Sequence, residues 1–157
     1  MEFSLKTEKD TENLGIILGK AAKNGDVFCF IGDLGAGKTV MCRGVAVALG
    51  VDEKDITSPT FTIMNIYQGR DFEIKHFDLY RIKRREELYD IGFQEYVGGS
   101  GITLIEWGDL FSDELPYEHL KVELAFENSF RRAILTPFGK RYEEILTGVK
   151  GDADVSD

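Results

Sequence analysis

VFCFIGDLGAGKTVMCRGVAVALG, Val27 to Gly50, runs an apolar segment into a glycine-rich loop and then into an apolar periodic segment. Gly32, Gly37, Lys38 and Thr39 fit G-x-x-x-x-G-K-[ST]. In that pattern backbone N–H groups wrap phosphate, the lysine reaches the outer phosphates and the hydroxyl ligates Mg²⁺. The glycines permit positive φ and a close approach of backbone to an anion. A helix starting near Lys38 turns its unsatisfied N–H groups and positive dipole end toward the same anion. An ordinary glycine turn would lack these neighbours: a strand-like VFCFI precedes the loop, and Val40, Val45, Ala48 and Leu49 follow as the buried side of a helix ending at Gly50. The stretch reads as a β-loop-α unit. Its candidate nucleotide-binding positions are Gly32, Asp33, Leu34, Gly35, Ala36, Gly37, Lys38, Thr39 and Val40.

Elements of both kinds continue on either side. Thr7 is placed to cap a helix running to about Lys23, with Leu14, Ile17, Leu18 and Ala21 at helical spacing. Phe61 to Tyr67 and Phe72 to Leu79 are strand-like runs joined by Gln68-Gly69-Arg70-Asp71, a hairpin signal. Arg84 to Gly92 reads as a short helix and Ile102 to Trp107 as a buried strand. Val122, Leu124 and Phe126 alternate as a half-buried strand that Arg131 to Leu135 can pair with. Lys140 to Leu146 reads as a terminal helix. Strands and helices alternating around a phosphate loop predict an α/β three-layer sandwich with a mainly parallel central sheet and antiparallel additions. The expected organisation is a single domain over 1–148 with a mobile acidic tail at 149–157, where too little apolar surface remains to fold.

Composition bounds the function. A chain of 157 residues with 43% hydrophobic content is long enough for one substantial core. No apolar run approaches the roughly 18 residues of a membrane span, and MEFSLKTEKD lacks the order of a signal peptide, so a cytoplasmic protein without membrane contact is expected. Cys29 and Cys42 lie in apolar surroundings and read as buried free thiols. A formal net charge of −9 repels nucleic acid on average, so contact with RNA or DNA would need a basic patch or an intermediary protein. Arg81, Lys83, Arg84 and Arg85 form one basic group and Arg131 with Arg132 a second, each reading as a solvated helix face or strand edge.

In open α/β sheets ligands sit beyond the carboxyl ends of the strands, and that rule selects the acids. Glu106 ends the run ITLIE, where phosphate-loop enzymes place the acid that binds Mg²⁺, directly or through water, or orients the attacking water. Asp78 lies near the end of the run FEIKHFDLY and is a metal-site candidate too, with a structural hydrogen bond to a following helix as the competing role. The metal set is therefore Thr39, Asp78 and Glu106, and the catalytic set Lys38, Asp78 and Glu106. His76 reads as a half-buried strand histidine and His119 as still less involved. In DITSPTFTIMNIY, Ser58-Pro59 forces an extended or turned backbone and Thr57, Ser58 and Thr60 crowd one loop, which is either a strand-initiating turn or a segment that senses the terminal phosphate. No N-K-x-D, D-x-x-G or LSGGQ occurs, which leaves adenine as the expected base although the loop itself selects none.

GDLGAGKT at Gly32 to Thr39, TSPTF at Thr57 to Phe61, HFDLYR at His76 to Arg81 and IEWGD around Glu106 together resemble the bacterial TsaE (YjeE) family, in order and spacing, to about Leu146. The resemblance implies an ATP- and Mg²⁺-binding fold with Lys38 on the phosphates, Thr39 on the metal, and Asp78 and Glu106 as essential acids. It also implies that TSPTF is a switch and Trp107 a neighbour of the nucleotide. Val40 stands where the family often has a second threonine, and Asp109 where a glutamate commonly follows the tryptophan. The implied activity is an ATP hydrolase required for threonylcarbamoyladenosine (t6A) modification of tRNA at A37. It is weak alone, docks on a TsaB–TsaD-type pair, resets that complex between rounds and meets tRNA only through it. No arginine of the chain stands out as a finger toward the terminal phosphate, the candidates being Arg43, Arg81 or a partner's residue. A small-molecule kinase and a non-catalytic nucleotide-dependent adaptor would use the same loop and remain the alternatives.

Overall fold

The structure, a computed structural model, describes residues 1–57 and 62–155. Val27–Ile31 (β2) is buried on both faces over its first four residues, as expected of an apolar run inside a parallel sheet. Around it the chain builds seven strands: Glu2–Leu5 (β1), β2, Met64–Gln68 (β3), Glu73–Asp78 (β4), Ile102–Glu106 (β5), His119–Glu127 (β6) and Phe130–Phe138 (β7). They form one sheet in the order β1-β7-β6-β2-β5-β4-β3. The four central strands, β6, β2, β5 and β4, are parallel, while β3, β7 and β1 are attached antiparallel. The expected mixed α/β sheet is therefore present.

Strand alternation sorts the core into two layers. Phe28, Phe30, Ile74, Leu104 and Val122 pack under Glu8–Ala21 (α1), Lys38–Ala48 (α2) and Lys140–Val155 (α5). Val27, Cys29, Phe77 and Ile105 face Arg85–Asp90 (α3), Phe93–Tyr96 (α4) and a 3₁₀ segment at Gly108–Glu114. Thr7 caps α1 in a reciprocal box with Asp10: each backbone N–H is taken by the other's side chain. α1 and α2 cross at glycines. A Cβ on Gly15 would stand 2.2 Å from the Met41 carbonyl oxygen, and one on Gly44 would stand 2.2 Å from that of Glu12. The start of α5 is tied to the start of β2, where Arg141 meets Asp26 at 2.8 and 3.1 Å and Val27 N–H donates to the Tyr142 hydroxyl at 2.9 Å. Burial pushes the Cys29 thiol up to about 12, and the Cys42 thiol well above its ordinary value, so both stay neutral.

Several elements depart from the sequence pattern. The fully buried face of α2 is Met41, Cys42, Val45 and Ala46, whereas Val40, Ala48 and Leu49 sit at its margins, because α2 packs on both the sheet and α1. Phe126, expected to be half-buried with Val122 and Leu124, is 58% exposed, since β6 outruns the helices that cover its neighbours. The four-residue β1, Glu-Phe-Ser-Leu, was not expected from the sequence, since its alternation lasts only two periods, and it is held by pairing with β7. α5 runs to Val155, past the Leu146 expected as its end, and Val149 continues the spacing of Tyr142, Ile145 and Leu146 into the core. Ser58, Pro59, Thr60 and Phe61, which include most of the TSPTF segment and the expected start of a strand, lie outside the described residues, as do Ser156 and Asp157.

Candidate functional site

The parallel registers carry the acids to the loop. Glu106 is paired with Phe30 of β2 on one side and with Asp78 of β4 on the other, so both carboxylates stand at the strand ends from which the loop departs. Gly32 is required there by a close approach: a Cβ would meet the Leu124 carbonyl oxygen at 2.3 Å. Gly37, at φ 108°, ends the loop and serves as the N-cap of α2 without supplying a side-chain cap, leaving first-turn N–H groups for an anion. A cavity of about 200 Å³ opens over this helix start, walled by Gly35, Gly37, Lys38, Thr39, Asp78, Glu106, Trp107 and Arg131, with Leu34 and Val40 at its edge. Ala36 is turned into the core and offers only its backbone.

Lys38 is buried and folds back over the loop. Its ammonium donates to the carbonyl oxygens of Gly32 and, at 2.8 Å, Asp33, and lies 4.1 Å from the centroid of the Trp107 ring. Desolvation holds its pKa below the ordinary lysine value, with Glu106 and then Asp78 opposing that shift. Trp107 itself has φ 64°, the left-handed region that a non-glycine residue seldom occupies, and its ring also meets Tyr80 at 4.9 Å between centroids.

The two Glu106 oxygens are engaged separately. Thr39 Oγ1 donates to Oε1 at 3.0 Å, and Oε2 lies 2.6 Å from His76 Nε2, with both side chains of the latter pair buried. His76 Nδ1 is 3.4 Å from the Tyr67 hydroxyl, which in turn donates to the Thr57 carbonyl oxygen. A continuous polar path thus runs from the edge of the TSPTF segment to the threonine of the phosphate loop. Asp78 accepts from the Tyr80 N–H at 3.0 Å, which fixes the turn after β4 rather than a helix start, and it also lines the cavity.

The expected residues Lys38, Thr39, Asp78, Glu106 and Trp107 are therefore brought together, while Gly32 and Asp33 contribute carbonyl oxygens. His76 corrects the sequence reading: it is fully buried and bonded to Glu106. Strand parity was the available signal, since His76 shares a face with Ile74 and Asp78 on β4. Arg131 is the second correction. Its neighbour Arg132 is a solvated strand residue as expected, but Arg131 lies at the cavity wall. Cys42, His76 and Glu106 bring ligand atoms within 4.8 Å of one another, yet a neutral buried thiol is a poor partner for a hard cation.

Comparison with known proteins agrees with this arrangement. Residues 5–134 match the family model described as threonylcarbamoyl adenosine biosynthesis protein TsaE. A Treponema pallidum protein named tRNA threonylcarbamoyladenosine biosynthesis protein TsaE is 40% identical over 119 residues, covering 76% of this chain and 87% of that one. The Bacillus subtilis protein of the same name is 35% identical over 149 residues, covering 94% and 92%. The crystal structure of Bacillus subtilis YdiB superposes with a TM-score of 0.81 at 30% identity, over 98% of this chain and 95% of that one. With the phosphate loop, both strand-end acids and the tryptophan converging on one cavity, and with that match spanning most of its length, the chain belongs to the TsaE family.

Proposed function

We propose that this chain is a Mg²⁺-dependent ATP hydrolase that serves threonylcarbamoyladenosine modification of tRNA at A37; its relatives are named for tRNA threonylcarbamoyladenosine biosynthesis. The observation that carries the reading is the contact between Thr39 and Glu106, which sets a loop hydroxyl against a strand-end carboxylate at the mouth of an uncapped helix. The donors fit the group: one hydroxyl and two carboxylates are the hard oxygen set that Mg²⁺ prefers, and Thr39, Asp78 and Glu106 are the residues that would hold it. When bound, the ion neutralises charge on the terminal phosphates. Lys38 fits an anion as well. Its desolvated ammonium rests on two carbonyl oxygens and a ring, and phosphate oxygens in the cavity would favour its charged form. Glu106, held by His76, orients the attacking water or the metal, and the loop amides bind the phosphates.

The chain acts on tRNA through other proteins in this reading. A net charge of −9 disfavours direct contact with nucleic acid, which supports docking on a TsaB–TsaD-type pair that carries out the transfer while hydrolysis here resets the complex. A cytoplasmic setting follows from that role. Two variants test the division of labour. Lys38→Ala is expected to weaken Mg-ATP binding itself, by about ten-fold or more for a lost charged contact, whereas Glu106→Ala is expected to keep binding and lose phosphate release. Full turnover in the Glu106 variant would contradict the assignment.

A further inference from the structure

The phosphate loop has two unlike flanks. On the β5 and β4 side stand Glu106, Trp107 and Asp78, and on the β6 and β7 side stand Phe126 and Arg131, register partners across the hairpin. Arg131 shares a strand face with Ala133 and Leu135, both buried, so its side chain is carried over the helical layer rather than out to solvent. Its Nε is buried beside Gly37, 3.3 Å from where a Cβ there would stand, and has no hydrogen-bond partner among the described residues. The guanidinium carbon lies 4.6 Å from the centroid of the Phe126 ring, and Nη2 reaches the Gly35 carbonyl oxygen only at 3.5 Å. Arg132 is the contrast: Glu2 and Glu127 neutralise it at 2.9 and 3.4 Å.

A guanidinium presents a rigid fork of donors that matches phosphate oxygens. Here it is held by an aromatic ring at the wall of a cavity that already contains the Lys38 ammonium. Two cations on one cavity repel each other until an anion lies between them. The end of the nucleotide is also set by the geometry. The carboxylates mark where the metal and terminal phosphates belong, so the rest of the molecule extends toward the opposite flank.

We propose that Arg131 is a nucleotide-binding residue whose guanidinium, backed by Phe126, holds the nucleoside diphosphate portion at the end of the cavity remote from Asp78 and Glu106. The inference rests on the reading of the cavity as an ATP site. A contact of this kind is made to ADP and ATP alike, which separates it from an arginine acting on the terminal phosphate.

Trp107 is the only tryptophan and stands on the cavity wall, so its fluorescence follows titration with ADP or Mg-ATP, alongside calorimetry. Arg131→Ala, Arg131→Lys and Phe126→Leu are compared with the native chain and with Arg132→Ala, each checked for folding by its melting curve. Arg131→Ala is expected to weaken ADP and ATP by the same factor, about ten-fold or more. Arg131→Lys recovers only part of the loss, because the ammonium lacks the planar fork, and Phe126→Leu shows a smaller loss in the same direction. Arg132→Ala binds as the native chain does. Native affinity for ADP in both Arg131 variants overturns the proposal, whether or not turnover falls. Failure of the native chain to bind either nucleotide overturns the ATP reading itself and this one with it.

Discussion

Glu106 is held at both oxygens, by Thr39 on one and His76 on the other, and in the proposed hydrolase this double grip would set how well it orients water or metal. In that reading His76 is a positioning residue. Removing an outer partner of a ligating carboxylate typically costs about 10- to 100-fold in activity or metal affinity. His76→Gln is therefore expected to lower phosphate release from Mg-ATP by about ten-fold, to raise the Mg²⁺ concentration needed for half-maximal rate, and to leave metal-free ADP affinity unchanged. Native turnover and native Mg²⁺ dependence in that variant would contradict the role. At this scale Lys38, Thr39 and Glu106 were legible because each stands in a local pattern with its own chemistry. His76 and Arg131 were not. The importance of His76 depends on β4 lying beside β5, which no local spacing records, and that of Arg131 on where the β6–β7 hairpin, itself expected from the sequence, is set against the phosphate loop.

The element that aims the loop is α2, and its position depends on how closely it can approach α1. The crossing has no room for a methyl group at Gly44, which abuts the backbone of Glu12, Gly15 and Ile16. Overpacking of this kind typically costs about 1–3 kcal/mol, and more when the obstacle is backbone. Gly44→Ala is expected to lower the melting temperature by several degrees, roughly 2–4 °C for each kcal/mol in a chain of this size, and to weaken nucleotide binding because the loop moves with α2. A melting curve together with an ADP titration checks both. Unchanged melting would show that α1 and α2 separate freely. Most elements were legible from periodicity: β2 matches its expected bounds, and α1 lies within them. The exceptions have physical causes. β1 offers only two periods of alternation, and the exposed Phe126 is an apolar residue that alternation alone assigns to the core.

Over the whole molecule, one sheet places a phosphate loop, two acids and a polar path to the TSPTF segment at the same edge. Among the described residues no helix is long and apolar enough to cross a membrane. The mixed sheet, with its parallel centre, was legible from the alternation of strands and helices, but the order of its strands was not, because pairing between distant segments is decided by packing rather than by local sequence. A strongly acidic chain carrying an exposed nucleotide cavity is suited to docking on protein rather than on nucleic acid. The central claim is that hydrolysis at this site serves a partner complex. It is tested most directly by free-phosphate release from Mg-ATP, measured for the chain alone and with a reconstituted TsaB–TsaD pair and tRNA. The account predicts slow release alone and a clear rise when the pair and tRNA are present. Release that the partners leave unchanged, or γ-phosphoryl transfer to an added acceptor in place of free phosphate, would contradict it.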